Sequence, residues 1–257
     1  MFDFSVWLYG LAASVALLTL VWVVSVKKRD ASIIDPFWPL VFTLSWFVYR
    51  MTSDVPHGTR HSLVTVLLLA WSLRLALHLF KRWNEPEDRR YTAMRERQGT
   101  HFARKSLFTI YWVQALLAWV VSLPLLANAL ASSNLGALDA AGVAFFVVGF
   151  LFEAIGDAQL TRFKARSDSQ GRVLDTGLWR YTRHPNYFGE FCVWWGFGLL
   201  ALETGAWWAL GGPLLMTILL LEVSGVALLE QDIEERRPEY AQYVRRTSAF
   251  FPWPPRA

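Results

Sequence analysis

The apolar residues of this chain fall in blocks close to the length a helix needs to cross a bilayer, and no other feature limits its fold as severely. About 30 Å of hydrocarbon takes about 20 apolar helical residues. Runs of that size lie at approximately 5–26, 33–51, 61–80, 106–127, 138–160, 185–203 and 206–230. Asp35 and Pro36 interrupt the second, and Asn186 and Glu190 sit in the sixth. With 54% hydrophobic residues, 14 Trp and 18 Phe in 257 residues, the composition excludes an ordinary soluble domain. The expected fold is all-α, a polytopic transmembrane bundle of about seven helices.

Basic residues orient it. Cytoplasmic connections retain Lys and Arg, and 22 of the 25 lie after the first, third, fifth and seventh blocks. The connections after the second, fourth and sixth carry almost none. The sequence therefore predicts an N-terminus outside and a C-terminus in the cytoplasm, in a membrane expected to be the bacterial inner membrane. The first block lacks a basic leader and a small-residue cleavage site, and Lys27-Lys28-Arg29 follows it as after a stop-transfer anchor, so it is expected to be retained. A net charge of +4 needs no nucleic-acid partner, because the positive-inside bias and anionic lipid headgroups account for it. One cysteine, Cys192, excludes an internal disulfide and any Cys-based metal site.

No internal repeat or low-complexity stretch divides residues 1–257, which read as a single integral membrane domain. The longest polar segment, Lys81 to Ser106, reads as a cytoplasmic helix or loop at the membrane surface. The tail from Glu230 begins as a charged helix and changes at Thr247 into Phe250-Phe251-Pro252-Trp253-Pro254, a composition suited to an interfacial anchor.

There is no GxGxxG, Walker A, HExxH or GxSxG sequence, which argues against a Rossmann domain, a P-loop ATPase and a zinc protease. What remains are ionisable residues inside apolar helices, costly in hydrocarbon and by default functional. Asp35, beside Phe37 and Trp38, suits a proton donor or, with Pro36 at the first helical position, a helix cap. Arg74 and His78 share one helical face and suit a bound anion, a substrate carbonyl or a salt bridge. Glu153 and Asp157 lie one turn apart before Arg162, Lys164 and Arg166, so their repulsion calls for a hydrogen bond or a cation between them. The most specific stretch runs from Gly177 to Glu190 and contains Arg180-Tyr181-Thr182-Arg183-His184-Pro185-Asn186-Tyr187. Pro185 fits a first helical turn, placing Asn186 and Glu190 on one face, with Arg172, Arg180, Arg183 and His184 before it. Guanidinium groups at a helix N-terminus suit phosphate or pyrophosphate.

This stretch, the Asp157–Lys164 segment and the ending Arg245-Arg246-Thr247-Ser248-Ala249-Phe250-Phe251-Pro252-Trp253 resemble the steroid 5-alpha-reductase-like membrane family, closest to its mostly uncharacterised bacterial branch. The resemblance implies seven helices, a cofactor half at about 138–257 and a substrate half at about 30–105. It implies an oxidoreductase of lipid metabolism that transfers hydride from NADPH to a conjugated carbon–carbon double bond of a lipid-like enone, such as a steroid. Carried over residue by residue, it implies cofactor binding by Asp157, Arg162, Lys164, Arg172, Arg180, Tyr181, His184, Asn186, Tyr187 and Glu190. Where the family places a Gln-Glu pair and a Tyr around the substrate ketone, this chain offers Asp35-Pro36 and Trp71 near Arg74. Asp35, Arg74 and His78 are therefore the expected catalytic residues.

Two other classes compete. Membrane methyltransferases similar to isoprenylcysteine carboxyl methyltransferase also carry an Arg-His-Pro sequence at a late helix and a Glu-rich tail containing Tyr, matched here by Glu230, Glu234, Glu235 and Tyr240. They use S-adenosylmethionine, whose sulfonium suits the bases at 162–183 less well than a phosphate-bearing nicotinamide does. A non-catalytic lipid-binding protein would use the polar residues only for packing. A transporter is disfavoured by the lack of an inverted repeat. Expected partners are a lipid-like small molecule and membrane lipids, with no obligate protein partner.

Overall fold

The computed structural model describes residues 2–83, 86–223 and 239–256. Among them the chain is helical, with one isolated bridge, Thr182 to Ser248, and no named strand. Two compact units emerge. One comprises Met1–Gly136 and Ala201–Gly211, the other Ala137–Leu200 and Gly212–Ala257.

The first unit is built on α1 (Phe4–Lys28), α2 (Ile34–Thr52) and α3 (Thr59–Arg82), joined by short connections so that neighbours pack in order. Between lipid-facing helices no hydrophobic gain drives association, so small residues and hydrogen bonds do the joining. Ser14 and Ser45 hydroxyls lie 3.3 Å apart, Thr43 and Ser72 hydroxyls 2.7 Å, and the Trp46 indole donates to Thr65 at 2.9 Å. Gly10 leaves the space that the Tyr49 ring fills, and Tyr49 bonds Ser122 at 2.7 Å. The polar segment after α3 contains helix α4 (Arg89–Gln98), as expected of a surface helix, capped by Asp88, which accepts from the Arg90 amide at 2.9 Å. The chain continues through α5 (Phe102–Ser106), a π-helical stretch Leu107–Trp112, and α6 (Val113–Val121). At Ser122 it bends by 48° into α7 (Leu123–Ala129), where Pro124 sits in the first turn.

In the second unit, α8 (Ala137–Lys164) and α9 (Pro185–Glu203, its last three residues in the first unit) meet along glycines spaced by seven. A Cβ at Gly149 would fall 2.5 Å from the Gly189 carbonyl, and one at Gly196 would fall 2.7 Å from the Gly142 carbonyl. No real Cβ makes such contacts, so the two backbones touch directly. The seam ends where Gly156 packs on Pro185 and Asn186. Beyond α9 lie Trp207–Leu210, in the first unit, then α10 (Gly211–Ile218) and, after residues outside the description, α11 (Tyr240–Arg246).

By length and apolarity four described helices suffice to cross a membrane, Phe4–Lys28, Ala31–Thr52, Thr59–Arg82 and Ala137–Lys164. A fifth follows if Arg89–Val121 and Leu123–Ala129 form one broken span. The sixth expected segment is the 19-residue α9, in which Asn186 and Glu190 lower the apolarity. The seventh is helical over Trp207–Glu222 in the described residues. Its remainder, with Glu230, Glu234 and Glu235, lies outside them.

The seam makes a direct prediction. Gly149→Ala forces a backbone shift that costs about 1–3 kcal/mol, read as a lower melting temperature of the detergent-purified protein. Val148→Ala, on an exposed position of the same helix, leaves the melting temperature within about a degree; equal effects of the two would refute backbone contact at Gly149.

Candidate functional site

Each unit carries a polar constellation. In the first, Asp35 does not cap α2 as the sequence suggested. The cap role lies upstream, where Asp30 accepts from the Ser32 amide at 2.8 Å and a 3-10 turn, Ala31–Ile33, runs straight into α2. Asp35 is thereby placed inside the first turn with its carboxylate free to face another element. That element is α4: the Tyr91 hydroxyl donates to Asp35 at 2.9 Å, and Arg90 approaches the same carboxylate at 3.5 Å. Tyr91 is buried, whereas Asp35 is about one-third exposed.

The pairing depends on how the polar segment is fastened. Glu87 accepts from the Ala31 amide at 2.7 Å and is bridged by Arg95 at 2.6 Å. The Asp88 amide donates to Ser32 at 2.7 Å, and the Trp83 indole to Asp30 at 2.7 Å. Three contacts thus pin the segment to the turn before α2, with Arg95 holding Glu87 in place, which delivers Tyr91 to Asp35. Sequence reasoning missed Tyr91 because it lies in the polar segment 56 residues from Asp35, not in an apolar helix. Trp71, considered for the position of a phenol, is wholly buried beside Phe42, at 5.9 Å between ring centres. Arg74 and His78 are half-buried one turn apart on α3, as their spacing required.

In the second unit the glycine seam brings Asp157 of α8 to Asn186 of α9, whose amide nitrogen lies 3.4 Å from the carboxylate. Glu153 is buried one turn away and packs against Gly189. Helix α9 starts at Pro185, as expected, with half-buried Asn186, Tyr187 and Glu190 on its first turns. His184 is buried and stacks on Tyr187 at 5.6 Å. Gln159 accepts from the Leu178 amide at 3.0 Å, and Gly177 takes φ +63° against the Gln159 side chain, a position where any Cβ would collide.

The tail holds this segment in place. Arg183 is buried and donates to the carbonyls of Thr247 at 2.9 Å and Val244 at 3.2 Å. Its amide donates to Ser248 O at 2.9 Å, Thr182 donates to Phe250 O at 2.7 Å, and the Trp253 amide donates to Tyr181 O at 3.0 Å. The Tyr243 hydroxyl closes the other side on the Trp179 carbonyl. The tail, expected to serve as an interfacial anchor, acts here as a clamp. Phe250 is buried against Phe188 and Phe191, while Phe251 and Trp253 stay exposed. Arg183 accordingly turns away from the anion-binding role its neighbours suggested.

Of the bases expected to hold the cofactor, Arg162, Lys164, Arg172 and Arg180 are exposed, with Tyr181 exposed beside Arg180. Of these, Arg172 lines a cavity of about 500 Å³ together with Arg166, Arg246, Thr176, Gln242 and Tyr243. Asp168 accepts from Arg166 at 2.9 Å and from Arg172 at 3.1 Å. The Arg166 hydrogen bond, aided by the charge of Arg172, holds the Asp168 carboxyl below the usual carboxylate range. Three guanidinium groups share this cavity with three carboxylates, Asp168, Asp175 and Glu239, and with Thr176 and Gln242, so it offers donors for a phosphate within a lining balanced in formal charge. Among the described residues no group of three His, Cys, Asp or Glu side chains is arranged to hold a metal ion.

Residues 21–247 match the family described as Protein of unknown function (DUF1295), which is in the steroid 5-alpha-reductase-like superfamily. The chain is also similar to an uncharacterized protein, C594.04c, of Schizosaccharomyces pombe, 26% identical over 95% of this chain and 78% of that one. No solved structure matches it.

The clamp predicts that Arg183→Lys, which keeps the charge but loses the fork, opens the tail. Loss of charged hydrogen bonds of this kind costs about 1.5–3 kcal/mol, so tryptic cleavage at Arg245 and Arg246 in micelles should accelerate about tenfold or more. An unchanged rate would show that Arg183 does not hold the tail.

Proposed function

We propose, from the premise that this chain belongs to the DUF1295 family, that it is a membrane-embedded reductase using NADPH to saturate a conjugated carbon–carbon double bond in a lipid-like ketone. One observation carries the reading: the second unit lines a cavity with Arg166, Arg172 and Arg246 and also holds the partly buried Asp157–Asn186 pair at the head of α9. The donor set suits a pyrophosphate and a 2′-phosphate. Asp157, Asn186 and Glu190 supply the acceptors and amide that a ribose or carboxamide requires. The Glu230, Glu234 and Glu235 that the methyltransferase reading uses lie outside the described residues.

When bound, NADPH supplies a hydride to the β-carbon of the enone. The substrate must then receive a proton, and its ketone oxygen carries negative charge until it does. An O–H aimed at that oxygen stabilises the charge and supplies the proton. The Asp35–Tyr91 pair holds such a proton at 2.9 Å between two oxygens. Arg90, at 3.5 Å from Asp35 and 5.4 Å from the Tyr91 ring centre, supplies positive charge against the transfer. Arg74 and His78 remain the α3 groups available to polarise the ketone. The apolar helices around the first unit give a lipid-like substrate access from the bilayer. In this reading the bases face the cytoplasm and the membrane is the bacterial inner membrane.

Melting of the purified protein with NADPH, NADH and S-adenosylmethionine tests the cofactor. NADPH should raise the midpoint most, and Arg172→Met should weaken it about 10- to 100-fold, the loss of one charged hydrogen bond. Tyr91→Phe should leave NADPH binding intact and lower turnover of an enone lipid about 10²- to 10⁴-fold, the usual scale of general acid catalysis. A rise with S-adenosylmethionine alone would replace the reductase by a methyltransferase. Full turnover in Tyr91→Phe would remove Tyr91 from the chemistry.

A further inference from the structure

The tail that closes on the Arg180–Pro185 turn also presents an outer face. Phe250 is 5% exposed, but Phe251, although its ring touches Phe191, is 57% exposed and Trp253 is 70% exposed. Arg180, Arg245, Arg246 and Arg256 are exposed on the same turn and tail. Backbone contacts hold them together: the Arg256 amide donates to Arg246 O at 2.9 Å, and the Thr247 hydroxyl donates to Arg180 O at 3.4 Å. Residues 177–185 contain no acid, and residues 239–256 contain only Glu239. Two bare aromatic rings therefore stand beside an excess of positive charge.

The length of α8 fixes the depth of this face. From Ala137 to Gly156 the helix advances 19 residues, about 29 Å at 1.5 Å per residue. That matches the hydrocarbon thickness of ~30 Å which a span must cross, and α8 is long and apolar enough to be one. In a span that starts at Ala137, Gly156 falls at the far edge of the apolar layer, and Asp157, Gln159, Arg162 and Lys164 follow. The turn is tied to that level. The Trp179 indole donates to Gly156 O at 3.1 Å, and Pro185 packs on Gly156. The tail is tied to the turn, since the Trp253 amide donates to Tyr181 O at 3.0 Å. Phe251 and Trp253 thus come out where hydrocarbon gives way to headgroups, the depth that an indole with an apolar ring and a polar N–H prefers.

We propose that this face docks on the bilayer surface and that docking tightens the clamp on the Arg-His-Pro turn. Phe251 and Trp253 enter the boundary between acyl chains and headgroups, while Arg180, Arg245 and Arg256 meet anionic phospholipid headgroups. The coupling is built into four consecutive residues. Phe250 O receives the Thr182 hydroxyl and the Trp253 amide reaches Tyr181 O, so holding the rings at the interface holds both bonds. An anionic bilayer then raises the population of the closed turn, whatever reaction the site performs.

The test uses the full chain in nanodiscs of phosphatidylcholine alone and of phosphatidylcholine with phosphatidylglycerol. Hydrogen exchange is followed in peptides covering Arg183 and Trp253, whose amides close the clamp and whose exchange reports its opening. Phosphatidylglycerol should slow that exchange about tenfold, the scale of one or two arginines at an anionic surface. Phe251→Ser with Trp253→Ser, and separately Arg245→Gln with Arg256→Gln, should each remove the difference between the bilayers. All four positions are exposed, so melting temperatures in phosphatidylcholine should stay close to that of the wild type. Equal exchange in the two bilayers leaves this face to a soluble partner and overturns the proposal. Slowing that survives in either paired variant overturns it as well, because the lipid then acts elsewhere.

Discussion

Two helices that touch backbone to backbone set the position of nearly everything chemical in the second unit. Along α8 and α9, glycines at 142, 149 and 156 meet glycines at 189 and 196 and the ring of Pro185. Without side chains between them the helices approach closely, and the seven-residue spacing keeps the small residues on one seam over the whole contact. The polar residues flanking the seam have no freedom to avoid one another. Asp157 must find Asn186, and Glu153 must lie under Gly189. Carboxylates inside an apolar helix are tolerable when their partners arrive with the packing itself.

The first unit solves the same problem by a different route. Its acid, Asp35, meets a phenol that comes from outside the apolar helices. The geometry is set by a turn of charged and hydroxyl residues in which Asp30, Ser32, Glu87, Asp88 and Arg95 fasten one connection to another. Exposed ion pairs contribute little to stability, but here the contacts end on backbone amides and an indole, so they fix register more than they add energy. Movement of α4 would carry Tyr91 with it.

The helices were legible because an apolar block of about 20 residues admits few other readings, and the starts of α2, α8 and α9 fell within about a residue of where hydropathy put them. That Asp157 needs a hydrogen bond or a cation was legible because it carries a charge where hydrocarbon offers no partner, and the packing of α8 on α9 supplies Asn186 as that partner. Three things were not. Tyr91 sits among charged residues, where a phenol carries no periodic signal, and only the fastening of its segment shows that it reaches Asp35. Arg183 looked like one more phosphate ligand because the sequence does not reveal that the tail returns to occupy it. The cap of α2 was misplaced onto Asp35 because Asp30, four residues earlier, opens a 3-10 turn that leads into the helix without a break. The glycine spacing was a signal that could have been read, since 142, 149 and 156 repeat by seven.

The tail clamp bears on how the molecule is made. Translation runs from the N-terminus, so the Gly177–Glu190 segment leaves the ribosome some sixty residues before the carbonyls of Val244 and Thr247 that receive its buried guanidinium. Until those residues emerge, Arg183 lacks the two carbonyls it holds in the folded protein, and the loop leading into α9 lacks one of its walls. Membrane insertion of the earlier helices can proceed without the clamp, but the shape of the Arg-His-Pro turn cannot be final. A chain interrupted before residue 242 would therefore carry every residue proposed to touch the adenine-bearing ligand except Gln242, Tyr243 and Arg246, and still lack the closure that orders them.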